Sequence, residues 1–135
     1  GALADRIGGI KALMIVFVVA ALALAGIPQA ASLPAALGLF VIAMLAFGIG
    51  NGSVFQLVPQ RFAAEIGVMT GLVGMAGGMG GFYLASSLGF ARQWSGSFAP
   101  GFYIFAGLAV AALLGLIFVK GQWRKAWAAA EGVRI

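Results

Sequence analysis

Four long apolar stretches, separated by short polar segments, dominate the chain. Charged residues lie only at the ends of these stretches, and each stretch is long enough to cross the hydrocarbon core as a helix. The stretches cover 11–28, 35–58, 66–90 and 101–120. The pattern therefore predicts an all-α fold, a polytopic membrane protein with four transmembrane helices.

The four predicted spans differ in polarity. The first and fourth carry almost no polar side chains between their ends, whereas the second and third carry glycines and amides. Polar groups in a membrane face protein or a water-filled cavity. We therefore expect the first and fourth spans to face lipid, and the second and third spans to carry the functional residues.

A glycine-dense stretch, 67–81, lies inside the third span. Its glycines at steps of four and three residues fall on one helical face. That face either packs closely against another helix or exposes backbone to a solute, and the residues alone leave both readings open. The glycines of this face are Gly67, Gly71, Gly74, Gly78 and Gly81. Among them, Gly67 and Gly71 are assigned to helix packing.

Polar residues interrupt the second span near its end. Gly48 and Gly52, four residues apart, are typical of a close helix–helix contact. Asn51, Ser53 and Gln56 are the strongest polar groups in any span. Buried amides and hydroxyls need hydrogen-bond partners. These three side chains therefore either bond neighbouring helices or line a polar path that offers N–H groups to an anion.

Composition narrows the functional classes. The chain is 63% hydrophobic and 8% charged, whereas soluble domains average about 25% charged. It contains no Cys, no His and only three acids, which are far apart in sequence. We therefore expect no metal, no cofactor and no catalytic residues, and we do not expect an enzyme.

The net charge of +5 reflects membrane orientation and not nucleic-acid binding. With four spans, Arg6, Lys11, Arg61 and the four cations near the C-terminus fall on one side, and only Arg92 falls on the other. The positive-inside rule then places both termini in the cytoplasm. Trp123 and Trp127 indicate an amphipathic cytoplasmic tail over 121–135.

The first nine residues, GALADRIGG, form a tight charged loop. From physics alone, this loop is a solvated turn that helps to orient the chain. Its pattern, however, resembles a loop motif of the major facilitator superfamily, matched by Gly1, Leu3, Asp5, Arg6 and Gly8. The resemblance implies a conformational latch at Gly1, Asp5, Arg6 and Gly8, in a chain that begins within a motif and is a fragment of a larger protein.

The glycine stretch ending in Gly81-Phe82, after a span with GNGSVFQLVP, resembles the second glycine signature of the nitrate/nitrite porter family. The resemblance covers the whole chain and implies that 1–135 is the C-terminal part of a transport domain, helices nine to twelve. The family's substrate-binding arginines belong to the N-terminal part and helix eight, which are absent. The implied substrate pathway here comprises Asn51, Ser53, Gln56, Gly74, Gly77, Gly78 and Gly81.

The predicted function is a secondary active transporter for nitrate or nitrite in the inner or plasma membrane. It would act in nitrate assimilation as a symporter or antiporter, by alternating access. Its expected partners are the anion, membrane lipids and the missing N-terminal part. Two alternatives stay open: a major facilitator for a sugar, drug or organic acid, and a small four-helix protein that oligomerises through its glycine face.

Overall fold

A computed structural model describes residues 7–128, with side chains except those of Arg61 and 123–128. Its four long helices are α1 (Gly9–Gly26), α2 (Leu33–Arg61), α3 (Ile66–Ser95) and α4 (Ala99–Ala128). Two 3-10 turns, Ile27–Gln29 and Ala63–Glu65, lie in the first two connections. All four helices are long and apolar enough to cross a membrane, and no strand occurs in the described residues. The predicted all-α, four-span fold is confirmed.

Local sequence signals set the helix ends. Gly8 precedes α1 with φ +90°, a conformation that favours glycine. Ser32 caps α2, because its Oγ accepts a hydrogen bond from the Ala35 N–H at 3.4 Å. Gly96 ends α3 in the left-handed region at φ +71°, and its N–H donates to the Arg92 carbonyl at 3.0 Å.

The helix α1 lies at the centre of the arrangement and packs against both α2 and α4. It is the most buried of the four, whereas α3 has no buried residue and makes its contacts mainly with α4. The expectation that the first span faces lipid is therefore wrong within the described chain. A span without polar groups can still bury a face, because small apolar side chains allow close packing.

The core consists mainly of alanine. The buried alanines of α1 meet those of α2 and α4 in two neighbouring clusters. In a membrane, where lipid is as apolar as leucine, small residues favour association because they let helix backbones approach. The alanines of the two clusters are Ala20, Ala23, Ala43, Ala46 and Ala106. Three further alanines are also buried: Ala12, Ala21 and Ala109.

At three glycines an added Cβ would lie less than 3.0 Å from a side chain of a neighbouring helix, and none of the three belongs to the predicted packing set. A Cβ built on Gly50 would lie 2.9 Å from Val16 Cγ1, across the α1–α2 contact. A Cβ on Gly9 would lie 2.7 Å from Leu57 Cγ, and one on Gly101 would lie 2.7 Å from Leu88 Cδ2. In contrast, no atom of a neighbouring described residue would lie within 4 Å of a Cβ built on Gly48.

We expect Gly50→Val to destabilise the α1–α2 contact by about 1–3 kcal/mol, because the added side chain overlaps Val16. Gly48→Val is the matched control: it makes the same change two residues away, toward open space. The measurement is thermal unfolding of the purified chain in detergent, followed by its helical circular dichroism. Equal melting temperatures for the two variants would contradict the observed contact, and Val16→Ala should partly restore the Gly50→Val variant.

Candidate functional site

The polar residues of α2 point in different directions. Asn51 is exposed, Gln56 is half-buried and Ser53 is 1% exposed. At 3.6 residues per turn, Asn51 and Ser53 lie roughly 160° apart around the helix axis. The three α2 residues of the predicted pathway therefore do not all lie on one face of the helix, and their place in a substrate pathway stays a prediction.

Ser53 has a local role in the described chain. Its Oγ donates to the Ile49 carbonyl of the same helix at 2.9 Å. It also lies on the side of α2 that carries the buried residues Ala46 and Gly50, which faces α1. Of the two alternatives for Ser53, this geometry favours a structural role over contact with a solute.

The glycine face of α3 is open along its whole length. Each of the glycines assigned to the pathway or to packing is exposed, and an added Cβ would meet no atom within 4 Å of the described chain. These residues are Gly67, Gly71, Gly74, Gly77, Gly78 and Gly81. No described polar side chain of α2 therefore lies against this face, and both roles stay predictions.

The orientation of α3 explains this exposure. Its half-buried residues include Met69, Val73 and Leu88, which mark the side that approaches the other helices. At 100° per residue, the predicted glycine stripe is turned from that side by roughly 120°. The stripe is thus available to a helix or ligand that the described chain does not supply.

Three cavities between the described helices are unsuitable for an anion, because all of their lining residues are apolar. One of about 200 Å³ lies where all four helices meet, between Leu13, Val54, Val73 and Leu116. All nine of its lining residues are apolar. An anion transferred there would lose its hydration without gaining hydrogen bonds, which costs several kcal/mol or more. The open face of α3 is therefore the better candidate surface.

Residues 7–128 contain few side chains that could act as acids, bases or metal ligands. Glu65 is the one acidic residue of that range, and His and Cys are absent from the chain. No group of three metal-ligating side chains occurs in the described part. The described residues thus offer no set of side chains that could hold a metal ion.

Two predicted features fall partly outside the described residues. In the latch loop, Gly1, Asp5 and Arg6 lie outside them, and only Gly8 is placed, before α1. The predicted tail, 121–135, begins as a continuation of α4, which is helical through Ala128. The remainder of the tail lies outside the described residues.

Comparison with known proteins identifies the group to which the chain is related. It is 37% identical over 128 residues to the nitrite extrusion protein of Bacillus subtilis, a match that covers 92% of the chain. It is 35% identical to the probable nitrate transporter NarT of Staphylococcus epidermidis over 89% of the chain. The Staphylococcus haemolyticus NarT is 33% identical over 95% of the chain.

The chain is a homologue of these nitrate and nitrite transport proteins. The resemblance drawn from its glycine stretch and loop motif is thereby confirmed. The chain spans about a third of the length of these relatives, 31% to 32%. No family model matches the chain. No solved structure matches it either.

Within this homologue of nitrate and nitrite transport proteins, glycine spacing was a poor guide to the internal contacts. It singled out Gly48, which is open, and passed over Gly50 and Gly101, which touch side chains of neighbouring helices. A better signal was present in α2. Ala43, Ala46, Gly50 and Ser53 follow one another at three- and four-residue steps, and all four are buried.

Substitutions at Ser53 test its structural role. Ser53→Ala should change the free energy of unfolding by less than about 1 kcal/mol, because the lost hydrogen bond lies within α2. Ser53→Leu should destabilise by about 1–3 kcal/mol, because the site is enclosed. Unfolding of the chain in detergent gives both values. If Ser53→Leu were as stable as the parent, the buried placement of Ser53 would be contradicted.

Proposed function

We propose that the chain is the C-terminal third, helices nine to twelve, of a secondary transporter that moves nitrate and nitrite by alternating access. The observation that carries the proposal is the homology over about nine-tenths of the chain to named nitrate and nitrite transport proteins. Four spans in about a third of the relatives' length agree with two six-helix halves. Transport, and not catalysis, is then the activity.

The open face of α3 supports an incomplete anion pathway in this segment. Gly74, Gly77, Gly78 and Gly81 would let a second helix and a small planar anion come close to the α3 backbone. A positive centre for the anion would come from the missing N-terminal part of the transporter. Asn51 and Gln56 of α2 are the polar side chains that could add N–H donors.

The orientation and coupling follow from the distribution of charge. Seven of the eight Lys and Arg residues fall on the side of both termini in a four-span topology, so we place both termini in the cytoplasm. The helices α1 to α4 contain no Asp, Glu or His. Exchange of nitrate for nitrite requires no such group, whereas proton-coupled uptake would use a titratable residue outside this chain.

An uptake assay tests the proposal. The complete polypeptide carrying this chain would be expressed in cells that lack their own nitrate transport, and nitrate and nitrite uptake would be measured. We expect uptake of at least one of the two anions. Transport of a sugar, drug or organic acid without either anion would instead indicate another major facilitator. A complete polypeptide of four spans that forms oligomers and transports neither anion would overturn the proposal.

Gly78→Leu should abolish nitrate transport by the complete polypeptide, because the side chain fills the open face on which a partner helix or the anion must lie. The matched control is Ala76→Leu, which adds a similar volume at an exposed position roughly 160° away around α3. Initial uptake rates, corrected for the amount of protein in the membrane, give the comparison. Equal loss in both variants would show general disruption of α3 and would argue against a specific role for the glycine face.

A further inference from the structure

The connection between α3 and α4 is short and held by hydrogen bonds. It consists of Gly96, Ser97 and Phe98. The Ser97 Oγ accepts from the Ala99 N–H at 3.1 Å, and the Ser95 Oγ lies 2.7 Å from the Ala91 carbonyl oxygen. The Ser97 hydroxyl therefore caps the start of α4, and the Ser95 hydroxyl bonds within the last turn of α3.

Arg92 is placed against an aromatic ring across this turn. Its guanidinium carbon lies 4.9 Å from the centroid of the Phe98 ring, within the range of a cation–π interaction. Arg92 itself is exposed. A ring contact uses the charge of the guanidinium but leaves most of its five N–H donors available for an anionic group.

No acidic side chain of the described residues is near this charge. Between Glu65 and Glu131 the sequence contains no Asp or Glu. Glu65 precedes the first residue of α3, so it lies about 40 Å from Arg92 at 1.5 Å per residue. No acidic side chain within residues 7–128 therefore lies near enough to Arg92 to pair with it.

The opposite side of α3 carries an exposed aromatic pair at the same level. The rings of Phe90 and Trp94 stack with centroids 5.2 Å apart and planes inclined by 29°. Trp94 is 82% exposed and Phe90 is 56% exposed. Tryptophan is enriched where headgroups meet acyl chains, because its ring has an apolar body and an N–H donor. Trp94 and Arg92 lie roughly 160° apart around α3.

We propose that the end of α3 is a phospholipid-binding collar, formed by Phe90, Arg92, Trp94 and Phe98. Arg92, held over Phe98, binds the phosphate of an anionic phospholipid. The Phe90–Trp94 stack lies at the headgroup boundary on the other side of the helix. The occupant is a lipid because α3 is a membrane-spanning helix and its end, where these residues lie, is at the bilayer surface. The collar thereby fixes the depth of α3 in the bilayer.

The test uses Trp94 as a local reporter in the whole chain. Trp123→Phe and Trp127→Phe remove the other two tryptophans, and phosphatidylglycerol brominated on its acyl chains is titrated into the detergent-solubilised protein. We expect saturable quenching of Trp94 fluorescence. Arg92→Gln should weaken the apparent affinity about fivefold, the factor given by about 1 kcal/mol for one cation near an anionic surface. Arg92→Lys should keep most of the affinity, because it keeps the charge.

Three controls decide the outcome. Lys11→Gln removes an exposed cation at the other membrane surface and should leave Trp94 quenching unchanged. Brominated phosphatidylcholine should bind the parent and Arg92→Gln proteins alike, and unchanged circular dichroism shows that each variant is folded. Equal phosphatidylglycerol affinity in the parent and Arg92→Gln would overturn the proposal. So would full competition by inorganic phosphate, which would show a site for free anions and not for lipid.

Discussion

The close approach of helix backbones through small side chains is the constraint on which the packed part of this structure depends. Moving an apolar helix surface from lipid to another helix gains no hydrophobic free energy. The distance of closest approach and van der Waals packing therefore decide whether two helices associate. Here α1 meets α2 and α4 through alanines and through Gly50, and larger side chains such as Leu24 fill the space between them. The three helices form one unit because their small residues lie on matching faces.

The helix α3 is also rich in small residues, but it packs differently. It carries more small residues than α1, yet none of its residues is buried in the described chain. Small residues permit a close contact but do not create one without a partner surface. The glycine face of α3 has no partner surface in the described chain, and the relatives are about three times as long as this chain.

The sequence was sufficient for the number and type of elements, because long apolar stretches without charges have only one stable form in a membrane. It was also sufficient for the relationship to nitrate and nitrite transport proteins, through the glycine stretch and the GALADRIGG loop. It was insufficient for the arrangement of the helices. Alanine is equally acceptable toward lipid and toward protein, so the buried face of α1 has no polar pattern that marks it. Likewise, the amide and hydroxyl groups of α2 gave no indication that Ser53 would bond within its own helix.

The central position of α1 has a consequence for how the chain is made. Ala23 of α1 and Ala106 of α4 share one cluster, although 83 positions separate them in the sequence. At synthesis rates of about 5–20 residues per second, roughly 4 to 17 s pass between the translation of Ala23 in α1 and that of Ala106 in α4. During that interval the part of the α1 surface that packs against α4 lacks this partner. An alanine surface tolerates this, because lipid that wets it can later be displaced without breaking any hydrogen bond.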